Sequence, residues 1–237
     1  MEVQQNLIPQ SGPDLAGFDI AGKIEYCDET GGDYFDYIPG NPDDNRLNIA
    51  VGDVSDHGIP SALLMTTARA FLRHRASQPG NSVDIIKDVN RLFIEDVKDS
   101  GRFMTLFFLT LDSVDNKVSW IRAGHDPAML YSPDKKHFEM LEGRGMPLGV
   151  SADAVYEQQE KQLTAGQIIV LFTDGIIEAQ NSGKTFFGKE RLQQVIRDNA
   201  HLASQQICDR IFESVESFLD SQPINDDLTV VVIKVED

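Results

Sequence analysis

The strongest constraint on the fold is a set of short segments that are apolar almost without interruption. Residues 103–112, 167–173 and 228–235 all have this character. A strand with one face in water alternates apolar and polar residues, whereas a strand covered on both faces does not. The segments therefore predict two sheets that face each other and are covered on the outside by helices.

The rest of the pattern divides the chain into strand-like and helix-like stretches. Alternation or short apolar runs predict further strands at residues 18–26, 34–38, 47–54, 117–123, 128–131 and 137–141, the second and third of these forming a hairpin. Apolar stripes at helical spacing predict helices over residues 60–75, 82–98, 188–199 and 203–219, with Ser82 as the N-cap of the second. Strands in antiparallel groups and helices in pairs indicate an α+β fold.

Length, charge and cysteine content limit the class of protein. The 237 residues contain no linker-like tract, so we expect one domain over residues 15–237, preceded by an N-terminal segment, residues 1–14, that resembles the end of a linker helix. A net charge of −17 repels phosphate backbones and anionic lipid, which argues against nucleic-acid or membrane-surface binding. No apolar run approaches the roughly 20 residues of a membrane span. Without a signal peptide, and with Cys27 and Cys208 lacking zinc-site spacing, we expect a reduced, cytoplasmic protein.

Aspartates recur where apolar strands meet loops. Asp33 opens a strand, Asp53 and Asp174 close strands, and Asp226 and Asp227 precede the last one. A carboxylate at the edge of a core is costly unless it meets a cation or hydrogen-bond donors, and oxygen ligands suit Mg²⁺ or Mn²⁺. Turn preference explains any single one of these residues equally well, but not the recurrence. We interpret five other aspartates as solvated turn or surface residues: Asp36, Asp43, Asp44, Asp112 and Asp115.

Eight short motifs then occur in an order that resembles a known family. They are ETGGDYFD (29–36), GDVSDHGIPSALLM (52–65), FMTL (103–106), AGH (123–125), PLGV (147–150), TDGIIEA (173–179), FG (187–188) and NDDLT (225–229). Together they resemble the SpoIIE-like (RsbU-type) bacterial branch of the metal-dependent PPM, or type 2C, protein serine/threonine phosphatases. The resemblance runs over nearly the whole chain and implies a four-layer α-β-β-α sandwich, with two antiparallel sheets between helix pairs.

The resemblance also implies a site with two Mn²⁺ or Mg²⁺ ions. By motif position Asp53 would bridge both ions, and the main-chain carbonyl of Val54 would be a further ligand. Asp33 would serve one side of the pair, directly or through water. Asp174 and Asp226 would complete the other side, with Asp226 preferred to Asp227 for the last role.

In this family, a metal-activated water attacks the phosphorus atom directly. The leaving serine oxygen needs a proton, which His57 or a metal-bound water would supply, although a capping role for His57 fits its position equally well. The chain departs from many type 2C enzymes at Asp28, where they carry a phosphate-gripping arginine. Phosphate affinity would then depend on the metals alone or on an arginine from elsewhere. Asp56 replaces a small residue, and we expect it to be exposed.

The resemblance implies a phosphoserine phosphatase in a bacterial stress-response and partner-switching pathway. Its expected partners are a phosphorylated anti-sigma-factor antagonist as substrate, an N-terminal sensor or receiver domain in a longer protein, and a second copy of the chain in a homodimer. One alternative is a non-catalytic binding module with the same fold, and another is an acidic cation-binding protein without chemistry. Turnover of p-nitrophenyl phosphate with Mn²⁺ separates the three.

Overall fold

Two five-stranded antiparallel sheets form the centre of the molecule. The computed structural model describes residues 2–40 and 45–236. Its strands are β1 (Phe18–Glu25), β2 (Asp33–Pro39), β3 (Arg46–Val54), β4 (Met104–Asp112), β5 (Lys117–Ala123), β6 (Ala128–Ser132), β7 (His137–Leu141), β8 (Gln159–Gln162), β9 (Ile168–Phe172) and β10 (Leu228–Val235). The first sheet has the order β2-β3-β4-β5-β8, and the second has the order β1-β10-β9-β6-β7.

Helices cover the outer face of each sheet. They are α1 (Glu2–Gln5), α2 (Ile59–Ala76), α3 (Ser82–Val97), α4 (Asp174–Glu178), α5 (Gly188–Asn199) and α6 (Ser204–Leu219). The pair α2 and α3 packs on the first sheet, while α6, paired with α5, packs on β1 and β10 of the second. The predicted α-β-β-α sandwich is therefore confirmed.

Strand β9 shows why the central strands are apolar on both faces. Ile169 and Leu171 belong to the core shared with the first sheet, whereas Ile168 and Val170 belong to the core under α5 and α6. All four side chains are buried. Because each face of the strand meets a different apolar layer, no position is left for a polar alternation.

The local predictions differ from the structure in three places. The N-cap of α3 is Asn81 and not Ser82, since the Asn81 carboxamide oxygen accepts a hydrogen bond from the Asp84 N–H at 2.9 Å. Strand β8 was not predicted because its sequence, QEKQ, is polar and it lies at a sheet edge. Helix α4 was not predicted because its five residues are too few for a periodic pattern.

The interpretation of Asp36 as a solvated residue is wrong. Its side chain is completely buried and accepts hydrogen bonds from the Tyr34 hydroxyl at 2.8 Å and from Arg73 Nε and Nη2 at 2.6 and 2.5 Å. Arg69 Nε lies 3.6 Å away. Burial is tolerated because two cations on one face of α2 neutralise the charge. Asp43 and Asp44, interpreted in the same way, lie outside the described residues, whereas Asp115 is exposed and Asp112 partly exposed.

Two further observations concern the setting of the protein. Both Cys27 and Cys208 are free thiols. Among the described helices, not one combines the length and the apolar character that a membrane crossing requires.

Candidate metal centre

The strand ends bring the predicted aspartates to one edge of the sandwich. Asp33 begins β2 and lies directly opposite Asp53 of β3 in the antiparallel register. In the second sheet, Asp174 follows β9 and Asp226 precedes β10, which are neighbouring strands. Each sheet thus contributes two of the four carboxylates.

Asp33 connects the two sheets through hydroxyl groups. Its Oδ2 accepts hydrogen bonds from Thr173 Oγ1 at 2.7 Å and Thr229 Oγ1 at 2.5 Å, and the Thr229 N–H donates to Thr173 Oγ1 at 3.1 Å. All three side chains are buried. The sequence analysis did not single out either threonine, although Thr173 directly precedes Asp174 in the TDGIIEA motif and Thr229 ends the NDDLT motif that contains Asp226. They orient Asp33 by occupying one of its carboxylate oxygens.

Asp226 and Asp227 have different surroundings. Asp227 is buried and accepts hydrogen bonds from the backbone N–H groups of Cys27 at 2.9 Å and Asp33 at 3.3 Å. Asp226 is exposed, and its Oδ1 accepts only a short-range bond from the Asp227 N–H at 2.8 Å among the hydrogen bonds of the described residues. The geometry therefore favours Asp227 as a support for the loop before Asp33 and Asp226 as the residue available to a ligand.

Burial and the charges of neighbouring carboxylates raise the pKa values of the site aspartates. Burial, followed by the charges of Asp174, Asp226 and Asp227, raises the pKa of Asp53 to about 7. Burial and the charge of Asp226 raise the pKa of Asp174 to about 6, with Glu178 and Asp126 contributing. The pKa of Asp33 is raised well above its usual value by burial and by Asp53. Such a cluster holds its negative charge at neutral pH only with a compensating cation.

The donor set fits a hard divalent cation. Every candidate side chain offers carboxylate oxygen, which Mg²⁺ and Mn²⁺ prefer. Across residues 2–40 and 45–236, however, no three His, Cys, Asp or Glu side chains already converge closely enough to hold an ion. The carboxylates are nevertheless near enough for the charge of one to raise the pKa of another.

Gly32 and the Val54 carbonyl complete this edge. A Cβ atom on Gly32 would stand 2.5 Å from the Val54 carbonyl oxygen and 3.4 Å from Asp53 Oδ1. The Val54 N–H also donates to the Gly32 carbonyl at 3.2 Å. Only glycine therefore allows the loop to approach the predicted carbonyl ligand so closely.

Ionic pairs occupy the rim of the site. His57 Nδ1 lies 3.0 Å from Asp28 Oδ2, and both side chains are more than half exposed. Burial raises the pKa of Asp226, and the charge of His57 partly opposes this rise. Asp56 is exposed, as expected, and lies 3.3 Å from Arg102 Nη2. Arg102 is an arginine beside the GDVSD motif that the sequence analysis did not single out.

His125 of the AGH motif has a different position. It is buried, with Nδ1 2.8 Å from Thr105 Oγ1 and Nε2 3.1 Å from the Phe172 carbonyl. Burial lowers its pKa to about 4, so the ring is neutral near pH 7. It joins β4 of one sheet to β9 of the other. The next residue, Asp126, binds Lys189 Nζ at 2.8 Å and was also not singled out.

The layered fold matches proteins of known structure. The chain is similar to the SiaA-PP2C domain of Pseudomonas aeruginosa, with a TM-score of 0.85 and 20% identity over 99% of this chain and 94% of that one. It is also similar to the RsbU and RsbW domains of a Mycobacterium tuberculosis protein, with a TM-score of 0.79 and 28% identity over 97% of this chain and 63% of that one. RsbX in complex with magnesium superposes with a TM-score of 0.70 at 15% identity. The fold is that of the PP2C class of phosphatases.

Sequence comparison narrows the class to one family. Residues 43–236 match the family model for stage II sporulation protein E (SpoIIE), and the chain belongs to this family. It is 29% identical over 232 residues to the phosphoserine phosphatase RsbU of Bacillus subtilis (strain 168). That match covers 98% of this chain and 68% of RsbU. The predicted family is therefore confirmed.

Proposed function

We propose that the protein is a metal-dependent protein serine/threonine phosphatase that hydrolyses phosphoserine. The observation that carries the proposal is the carboxylate cluster: Asp33, Asp53, Asp174 and Asp226 lie at one edge of the sandwich, where burial and the charges of neighbouring carboxylates raise their pKa values. Carboxylates that raise the pKa of their neighbours favour a bound cation, and the fold is that of a phosphatase class. RsbU, whose name states phosphoserine phosphatase, supports the substrate class.

The proposed ligands are Asp53 between two ions, Asp33 on one side, and Asp174 and Asp226 on the other. The Val54 carbonyl is the fifth ligand, supported by its close approach to Gly32. Two Mn²⁺ or Mg²⁺ ions bound there would activate water as a nucleophile and neutralise the phosphoryl oxygens. RsbX, solved with magnesium, supports this choice of metal.

The chain's own side chains would orient the site and move the proton. Thr173 and Thr229 hold the Asp33 carboxylate through its Oδ2. Asp28 holds His57 through Nδ1 at 3.0 Å, which leaves Nε2 of the ring to donate a proton to the leaving serine oxygen. Arg102 is paired with the exposed Asp56 beside the GDVSD motif, and this contact supports the proposal that it helps to bind phosphate.

The proposed substrate is a phosphorylated anti-sigma-factor antagonist in a partner-switching pathway. The support is the similarity to RsbU and to a structure that contains RsbU and RsbW domains together. The proposal includes a phosphatase domain over residues 15–237, with residues 1–14 ending a linker helix, a sensor or receiver domain in a longer protein, and a homodimer. It also includes a cytoplasmic location, which the two free thiols support.

The test is turnover of p-nitrophenyl phosphate with and without Mn²⁺. We expect metal-dependent turnover in the wild type, a large loss of turnover in Asp53→Ala, and wild-type turnover in Asp115→Ala, a matched control whose carboxylate is exposed and outside the cluster. Turnover without metal, or equal turnover in Asp53→Ala, would reject the proposal. Mn²⁺ binding without turnover would favour a non-catalytic binding module.

A further inference from the structure

Gln4 is a buried polar side chain in the N-terminal segment, and it forms hydrogen bonds with both backbone polar groups of Gly31. Only 7% of its surface is exposed. Its Nε2 donates to the Gly31 carbonyl at 2.8 Å, and its Oε1 accepts from the Gly31 N–H at 3.3 Å. The amide nitrogen and the oxygen of the Gln4 side chain thus pair with the backbone C=O and N–H of one residue, 27 positions away along the chain.

Gly31 belongs to the loop that delivers Asp33. Gly31 and Gly32 have no side chains with which to anchor themselves, and a Cβ on Gly31 would collide with Asp227 Oδ2 and the Tyr26 ring. Asp227 holds this loop through the N–H groups of Cys27 and Asp33. Gln4 holds the same loop through Gly31, so two buried side chains fix its backbone.

A second contact fixes the same segment to the first sheet and its helix. The Leu7 carbonyl accepts a hydrogen bond from Arg69 Nε at 3.0 Å, and the same atom of Arg69 lies 3.6 Å from the buried Asp36. Asp36 belongs to β2, the strand that Asp33 begins. Leu7 therefore anchors the N-terminal segment to α2 beside β2, the strand that follows the loop held by Gln4.

We propose that Gln4 is a positioning residue for Asp33, holding the backbone of Gly31 so that the Asp33 carboxylate faces the candidate metal centre. The inference rests on the proposed function for the role of Asp33. Gln4 touches neither the cation nor the substrate, and its effect passes through the backbone of residues 31–33. Losing two hydrogen bonds to a glycine loop leaves buried backbone groups unpaired and frees the loop to move.

The experiment measures Mn²⁺ binding by calorimetry for Gln4→Ala, Gln4→Met and Gln5→Ala. Met fills the space of Gln4 without its hydrogen bonds, and Gln5 is a neighbouring, exposed glutamine that serves as the matched control. We expect about tenfold weaker Mn²⁺ binding in both Gln4 variants, since two hydrogen bonds are lost, and unchanged binding in Gln5→Ala. With p-nitrophenyl phosphate, the half-saturating Mn²⁺ concentration should rise while turnover at saturating metal stays close to wild type.

The results separate this inference from the proposed function. Wild-type Mn²⁺ affinity in a folded Gln4→Met protein, or an equal loss in the Gln4 and Gln5 variants, would overturn it. Loss of folding in both Gln4 variants, seen by circular dichroism, would also overturn it, because a positioning residue acts within an intact fold. Asp53→Ala is titrated alongside, and if it binds Mn²⁺ like the wild type, the proposed function fails whatever the Gln4 variants do.

Discussion

Strand β2 carries two buried carboxylates that are held in opposite ways. Asp36 is surrounded by Arg69, Arg73 and the Tyr34 hydroxyl, so its charge is neutralised within the protein. Asp33, three residues earlier, accepts two neutral hydroxyl groups and faces Asp53, and its pKa is raised well above the usual value. Both carboxylates are buried, but their neighbours differ. Arginines neutralise Asp36, whereas the charges beside Asp33 are those of other carboxylates, as expected of a residue that binds a cation.

The largest effect on turnover should come from the carboxylate cluster of the candidate metal centre. Asp53→Ala should lower Mn²⁺-dependent turnover on the order of 10³-fold, because several kcal/mol of transition-state stabilisation is lost with the ions. Stability of the metal-free protein should not fall, since one repelling charge is removed. Steady-state kinetics and urea unfolding in EDTA measure the two quantities, and a large loss of stability would remove the contrast with Asp36.

The neutralised carboxylate should show the opposite behaviour. Asp36→Asn leaves two arginines beside β2 without their counter-charge and should lower the free energy of unfolding by about 3 kcal/mol. Turnover per folded molecule at saturating Mn²⁺ should stay near wild type. Glu95→Gln, which breaks an exposed pair with Lys98, is the control and should cost less than about 0.5 kcal/mol. Equal unfolding midpoints for the two variants would contradict the prediction.

The rim pair of His57 and Asp28 offers an intermediate case. If His57 protonates the leaving group, His57→Ala should slow hydrolysis of a phosphoserine peptide about 10²-fold. Hydrolysis of p-nitrophenyl phosphate should change little, because nitrophenolate leaves without a proton. Comparing kcat for the two substrates tests this, and an equal loss on both would assign His57 a structural role.

The smallest effect concerns pH. The pKa of Asp53 is raised from its usual 3.8 to about 7 in the folded protein. A raised pKa contributes stability that is fully present below the unfolded value and is lost as pH rises through the folded value. Thermal unfolding in EDTA should therefore show the wild type losing more stability than Asp53→Asn between pH 5 and pH 8, as the pKa values near 4 and 7 require. Parallel curves would show that Asp53 is not strained by its neighbours.

The layers were predictable, whereas individual carboxylates were harder to assign. Apolar residues on both faces of β9 and β10 follow directly from a sheet between two apolar layers, so sequence alone reveals the sandwich. Asp36 was misassigned because its cations are on α2, 33 and 37 residues away in the chain, and no local pattern links them. Strand β8 was missed because an exposed edge strand has no apolar signature.

The candidate site was predicted in two steps. The strand ends singled out the aspartates, and their positions in the motifs then gave the expected ligand roles. Motif position already favoured Asp226 over Asp227, and the fold adds a physical reason, because Asp227 accepts hydrogen bonds from the N–H groups of Cys27 and Asp33. The ligand assignment itself stays a prediction.

The hydroxyl bridge at Asp33 has a consequence for the mechanics of the molecule. Thr173 and Thr229 of one sheet donate hydrogen bonds to a carboxylate of the other. The two sheets are therefore connected at their edge as well as through the apolar core between them. A sideways displacement of one sheet relative to the other would break these hydrogen bonds and move the aspartates of the two sheets apart at the same time. Metal affinity would then depend on the alignment of the two sheets.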